Sequence, residues 1–193
     1  VTGSLKLIVE NSFINYFKQS TDIYKSMQEI DENLGGTTPL DIIINFKDDA
    51  KPITKADGTD ELDEFENEFA LNADDKQYWF SQDKMETITA VHDYLQTIPE
   101  VGKVQSLATL LKIGQSLNNG KDLDGITLAL LYNQLPPKYK TLILSPFINI
   151  DKNEARITMR IIDSNPNLRR NDLITKINHD LKDIIKNKET TYQ

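Results

Sequence analysis

The chain has 193 residues, 38% hydrophobic and 27% charged, which is enough apolar material for one sizeable core, so the expectation is a single domain over residues 1–193. A net charge of −8 with dispersed basic residues argues against nucleic acid, and Arg169-Arg170 and Lys182 to Lys188 are too short as basic clusters to suggest electrostatic adhesion to anionic lipid. No apolar run approaches the roughly 20 residues that cross a bilayer, and a chain without cysteine uses neither disulfide nor thiolate chemistry.

Val1 to Lys6 carry neither a secretory signal nor an initiator methionine, so the expectation is a piece excised from a longer protein. Leu5, Leu7 and Val9 alternate with Lys6, Ile8 and Glu10, which predicts a short strand leading into the aromatic stretch Phe13 to Phe17. Ser20 or Thr21 then caps a helix. Its apolar stripe is Ile23, Met27, Ile30 and Leu34, and Gly35-Gly36 ends it. Thr38 to Phe46 reads as a strand with Leu40, Ile42, Ile44 and Phe46 on one face.

From about residue 47 to 77 the chain turns polar and acidic, with an Asp57-Gly58 turn signal and a carboxylate run from Glu61 to Glu68, and this predicts a surface excursion. Ser81 or Asp83 opens a second helix whose Met85, Ile88, Val91 and Leu95 form one stripe before Pro99. A strand from Val101 to Ser106 follows. Leu107 to Leu117 and Ile126 to Leu135 predict a helical hairpin across Asn118-Asn119-Gly120, ended by Pro136-Pro137.

Leu142 to Ile150 and Ala155 to Ile162 predict two antiparallel strands joined by a tight turn at Asp151 to Glu154. A long amphipathic helix from about Leu168 closes the chain, with Leu173, Ile174, Ile177, Leu181, Ile184 and Ile185 inward. The order strand, helix, strand, hairpin, helix predicts an α+β fold. Its simplest form is a ferredoxin-like sheet, a βαβ crossover plus a β-hairpin, with helices on one face and an additional helical hairpin.

Tests for chemistry return no catalytic set. His92 and His179 each fall on the polar side of a predicted helix with no partner at ligand spacing, so no metal is expected. The acidic clusters at Asp57 to Asp63 and Asp122 to Gly125 do not fit a calcium-loop pattern and read as solvated charge and a helix cap. Gly35-Gly36 precedes a strand, so its amides are not set to cradle phosphate. Ser12, Ser106 and Ser145 lack a nucleophile-elbow setting, and Glu64 and Glu68 sit in the acidic excursion. No cofactor is expected. The densest aromatic cluster, Tyr78-Trp79-Phe80, is a candidate contact for a substrate or partner, with the alternative that it docks a loop onto the core.

Three segments carry a resemblance. Asn11-Ser12-Phe13-Ile14-Asn15-Tyr16-Phe17, then Leu34-Gly35-Gly36-Thr37-Thr38-Pro39-Leu40, then Ile98-Pro99-Glu100-Val101-Gly102-Lys103-Val104-Gln105-Ser106-Leu107 occur in an order that resembles the first extracytoplasmic loop of resistance-nodulation-division (RND) exporters, in the MMPL-like branch. The resemblance implies a non-catalytic periplasmic porter-type domain at the bacterial inner membrane, with one membrane helix before Val1 and another after Gln193. It implies a hydrophobic or lipid-like substrate, partners in the membrane helices and second loop domain of the same transporter chain, and a possible homo-oligomer. The alternative reading is a secreted or surface-attached protein-binding domain with no transport role.

Overall fold

The structure, a computed structural model, describes residues 13–47, 79–117, 120, 123, 128, 132–185 and 190–192. The strand expected at Leu5 to Val9 and the acidic excursion beyond Lys47 lie outside them. Phe13–Tyr16 forms a 3-10 turn. Thr21 is the N-cap of helix α1 (Asp22–Asn33), its hydroxyl accepting from the Tyr24 amide at 3.3 Å. At the other end Gly35 and Gly36 adopt φ of 78° and 100°, and the Gly36 amide donates to the Asp31 carbonyl at 2.7 Å. These left-handed torsions reverse the chain into the first strand as expected.

Most of the stripe assigned to the core of α1 faces outward instead, with Met27 half-buried. Ile23 and Ile30 are exposed and Leu34 is 58% exposed, while the fully buried residue is Asp31. The reason is local chemistry: the Asp31 carboxylate accepts from the Thr37 hydroxyl at 2.6 Å and from the Ser164 amide at 2.7 Å. Those bonds hold the Asp31 side of the helix inward, and Ile30 lies about 100° round the helix from it.

The chain is α+β, with five strands in one sheet: β1 (Thr38–Phe46), β2 (Val101–Gln105), β3 (Ile148–Asn149), β4 (Glu154–Ile161) and β5 (Thr190–Tyr192). The order is β2-β4-β1-β5, with β3 also paired to β4. Because β4 lies between β1 and β2, the connection through helix α2 (Gln82–Gln96) steps over one strand, the arrangement of a split βαβ unit. β5 pairs antiparallel with β1, Ile44 opposite Tyr192, and β2 pairs antiparallel with β4, Val101 opposite Ile161. The β2–β4 register shifts between Gly102 and Gln105, where Lys103 takes a φ of 48°.

The β3–β4 hairpin forms with Ile148 opposite Ala155 and with Asn153 at a φ of 55° in the turn. The strand expected over Leu142 to Ile150 is largely absent, however. The helical residues 132–134 stop before Pro136-Pro137, as expected, but the pair also starts a new turn: Pro136 is the N-cap, and helix α4 (Pro137–Tyr139) continues as a π-helical turn over Lys140–Leu144. Proline at the first helical position has no amide to lose and a torsion already suited to the helix. Helix α3 (Leu107–Leu117) forms as predicted; of its expected partner, Leu128 and residues 132–134 are helical, Leu135 is a bend, and the rest lies outside the described residues. Helix α5 (Arg170–Ile185) buries Leu173, Ile177, Leu181 and Ile185, with Ile174 exposed.

The chain clusters into two units. The first comprises Val1–Asp41, Ala90–Gln105 and Ile157–Ile184; the second comprises Ile42–Thr89, Ser106–Arg156 and Ile185–Gln193. In the first, Val91 and Leu95 of α2, Ile157, Met159 and Ile161 of β4, and Leu173, Ile177 and Leu181 of α5 are buried. His92 is buried with them, correcting its assignment to a polar face: it follows Ile88 by four residues and so shares that residue's side of the helix. In the second, Ile42, Ile44, Met85, Ile88, Leu107 and Ile148 are buried.

Candidate functional site

Of the three aromatic candidates, Tyr78 lies outside the described residues. Trp79 and Phe80 are 5% and 4% exposed in the second unit, so a partner meeting them would have to reach side chains already enclosed. They belong to a ladder of rings. Phe46 meets Trp79 edge-on at 6.0 Å, Trp79 meets Phe80 edge-on at 5.4 Å, and Phe80 meets Tyr132 at 5.2 Å. Edge-to-face contact sets the positive rim of one ring against the negative face of the next. The ammonium of Lys84 lies 5.6 Å from the Trp79 ring centre and 5.7 Å from that of Phe46, which lets a buried lysine keep part of its charge stabilised. The Trp79 indole N–H is buried without a hydrogen-bond partner among the described residues.

The ladder ends at a cleft of about 330 Å³. Tyr132, Leu144 and Ile148 are among its apolar lining residues, and Lys140, Ser145, Asn149 and Asp151 bring polar groups to it. Lys140 Nζ sits 4.1 Å from the Tyr132 ring centre, a close cation–π contact that fixes the lysine at the cleft wall. The π-helical turn presents this lysine: the Ser145 amide donates to the Lys140 carbonyl at 3.2 Å, five residues back. Such turns depart from ordinary helix geometry and occur often where a side chain must be re-aimed. The lining thus combines an ammonium, a carboxylate, a hydroxyl and an amide with a few apolar side chains, and polar groups make up most of its surface. Sequence periodicity gave no sign of this site, because Leu142 to Ile150 reads as a strand; the signal for it was proline at the first helical position, followed by Lys138-Tyr139-Lys140.

In the first unit, two of the segments that carry the resemblance meet backbone to backbone. A side chain at Gly36 would place its Cβ 2.5 Å from the Ile161 carbonyl oxygen, and one at Gly102 would lie 2.4 Å from the Gly35 carbonyl oxygen. Asp31 secures the same corner through Thr37 and Ser164. Nearby in sequence, Asp163 is buried and paired with Arg170. These are positioning contacts.

A third cluster joins α2 to α5 within the first unit. The Tyr94 hydroxyl donates to Asp180 at 2.6 Å, and His179 Nδ1 lies 3.2 Å from the other carboxylate oxygen. The hydrogen bond from Tyr94, then that from His179, holds the Asp180 carboxyl below its ordinary value, and burial followed by the Asp180 bond raises the Tyr94 phenol above its own. His179 is solvent-exposed as expected. Among the described residues no three metal-ligating side chains converge, and no helix is long and apolar enough to cross a membrane. Comparison with family models, curated proteins and solved structures returns no match.

Proposed function

We propose that this chain is a non-catalytic porter-type loop domain of a proton-driven RND exporter of the MMPL-like branch, standing on the periplasmic side of the inner membrane and contributing to the path of hydrophobic or amphiphilic substrates. The observation that supports this reading is the convergence at Gly35, Gly36 and Gly102. These glycines carry the resemblance, and two of them leave no room for a Cβ against the backbone they touch. The glycines of these segments are thus required by the backbone packing of this chain and are not incidental composition. The strand order β2-β4-β1-β5, with its split βαβ connection, agrees with the ferredoxin-like layer such a domain would have. In this role the domain works with the membrane helices and second loop domain of its own chain, and a homo-oligomer is compatible with it.

The test begins with the parent reading frame and then uses the full-length protein in cells. An apolar span of roughly 20 residues before Val1 and a series of them after Gln193 is the expected arrangement. Because this chain lacks cysteine, Leu34→Cys provides a thiol that a membrane-impermeant maleimide should label in cells whose outer membrane alone is permeabilised. Polar flanks on both sides, or labelling only after the inner membrane is broken, would overturn the reading. The second reading, a secreted protein-binding domain, draws on the outward-facing Ile23, Ile30 and Leu34 of α1. It requires a secretory signal and no series of spans.

A further inference from the structure

We propose that the helical turn from Pro137 to Leu144 is a lipid-contact surface that meets anionic membranes, with Tyr139, Leu142 and Ile143 entering the headgroup boundary, the exposed Lys138 pairing with lipid phosphates and Lys140 adding positive charge beside it. This does not depend on the transporter reading. Leu142 is 68% exposed, Tyr139 49% and Ile143 36%. Their spacing of three and four residues puts them on one side of the turn. An apolar side chain left in water on a surface turn, beside a tyrosine that can keep its hydroxyl among headgroups, is the composition of an interfacial anchor.

Charge selects the partner. The whole chain carries −8, yet from Pro136 to Ile150 there are two lysines and no carboxylate. This edge can therefore approach an anionic surface that the rest of the chain repels. Lys138 is exposed, and Lys140 is held at the cleft wall by Tyr132, with the first carboxylate, Asp151, lining the same cleft. Protein interfaces favour aromatic residues and arginine and are depleted in lysine. Aliphatic side chains flanked by lysines, whose stems can lie along acyl chains while the ammonium stays at the phosphates, fit lipid better.

Sedimentation of the full 193-residue chain with vesicles tests the proposal. The chain should pellet with vesicles of equal parts phosphatidylcholine and phosphatidylglycerol and much less with phosphatidylcholine alone. Leu142→Ser with Ile143→Ser should reduce the bound fraction several-fold. Lys138→Glu should weaken binding to the mixed vesicles by roughly tenfold or more, since it removes one attraction and adds a repulsion. Leu142→Trp should strengthen binding, and circular dichroism should be the same for every variant, as these side chains are exposed. The proposal fails if the chain ignores both vesicles, if the serine and glutamate variants bind like the unsubstituted chain, or if the vesicle-blind chain self-associates through Leu142, which would make this patch a protein interface.

Discussion

At the scale of single residues, the corner built on Gly36 makes a sharp prediction. Gly36 has a φ of 100°, and an added Cβ would stand 2.5 Å from the Ile161 carbonyl oxygen, so Gly36→Ala meets both a torsional and a steric penalty. The expected cost is roughly 3 kcal/mol. Gly120→Ala separates the two effects, because Gly120 also has a positive φ, 78°, but nothing among the described residues within 4 Å of its Cβ position. That substitution should cost only about 1 kcal/mol. Urea denaturation of both variants checks the ranking, and equal costs would mean that crowding against Ile161 is not real.

The Tyr94–Asp180 bond adds a pH signature. Asp180 is held below its ordinary 3.8, so its contribution is present above that pH and is lost as pH falls through the lower folded value. Tyr94 is raised above its ordinary 10.0, so its contribution is complete below pH 10 and is lost as pH climbs toward the higher folded value. Tyr94→Phe should therefore be less stable than the unsubstituted chain across the neutral range, and the gap should begin to narrow below pH 3.8 and above pH 10. Urea midpoints measured from pH 3 to pH 11 read this directly. A gap that does not change with pH would show that the hydrogen bond does not form.

At the scale of elements, two stripes that look alike in sequence behave differently. Met85, Ile88, Val91 and Leu95 of α2 are buried, while Ile23, Ile30 and Leu34 of α1 are exposed. Ile88→Ala should cost about 2–5 kcal/mol through lost burial and the cavity left behind. Ile30→Ala, at a position 43% exposed, should change stability by less than about 1 kcal/mol, since alanine also favours the helix. Thermal melts of the pair decide it, and comparable losses would mean that α1 is covered by something in solution.

The same contrast marks what was legible in the sequence. The Thr21 cap, the Gly35-Gly36 reversal, the α2 stripe, the β3–β4 turn and the long α5 helix were all readable, because each rests on local torsion or periodicity. Which side of α1 faces inward was not, because Asp31 binds partners as distant as Ser164. Nor was the π-helical turn at Lys140–Leu144, whose alternating apolar residues read as a strand until Pro137 is given its value as a helix start. The cleft was hidden for that reason, since its lysine is presented by this turn and held by a ring that precedes it by eight positions, Tyr132. Trp79 and Phe80 stood out by density, but density does not tell a contact surface from a buried ladder.

At the scale of the whole molecule, charge and the lipid-facing turn act over different distances, and salt separates them. A net charge of −8 repels an anionic membrane over the Debye length, about 30 Å at 0.01 M ionic strength but only about 8 Å at 0.15 M. Lys138 and Lys140 attract only when the turn is in contact. Adding salt should first screen the long-range repulsion while leaving contact pairs largely intact, and at about 1 M, where the Debye length is near 3 Å, it should weaken those pairs too. Binding to the mixed vesicles should therefore rise from low to intermediate salt and fall again at high salt. A protein with a broad basic face would instead bind best at the lowest salt and decline throughout. Titrating sodium chloride in the sedimentation experiment distinguishes the two, and a steady decline from the lowest salt would mean that attraction comes from some larger basic surface and not from this turn.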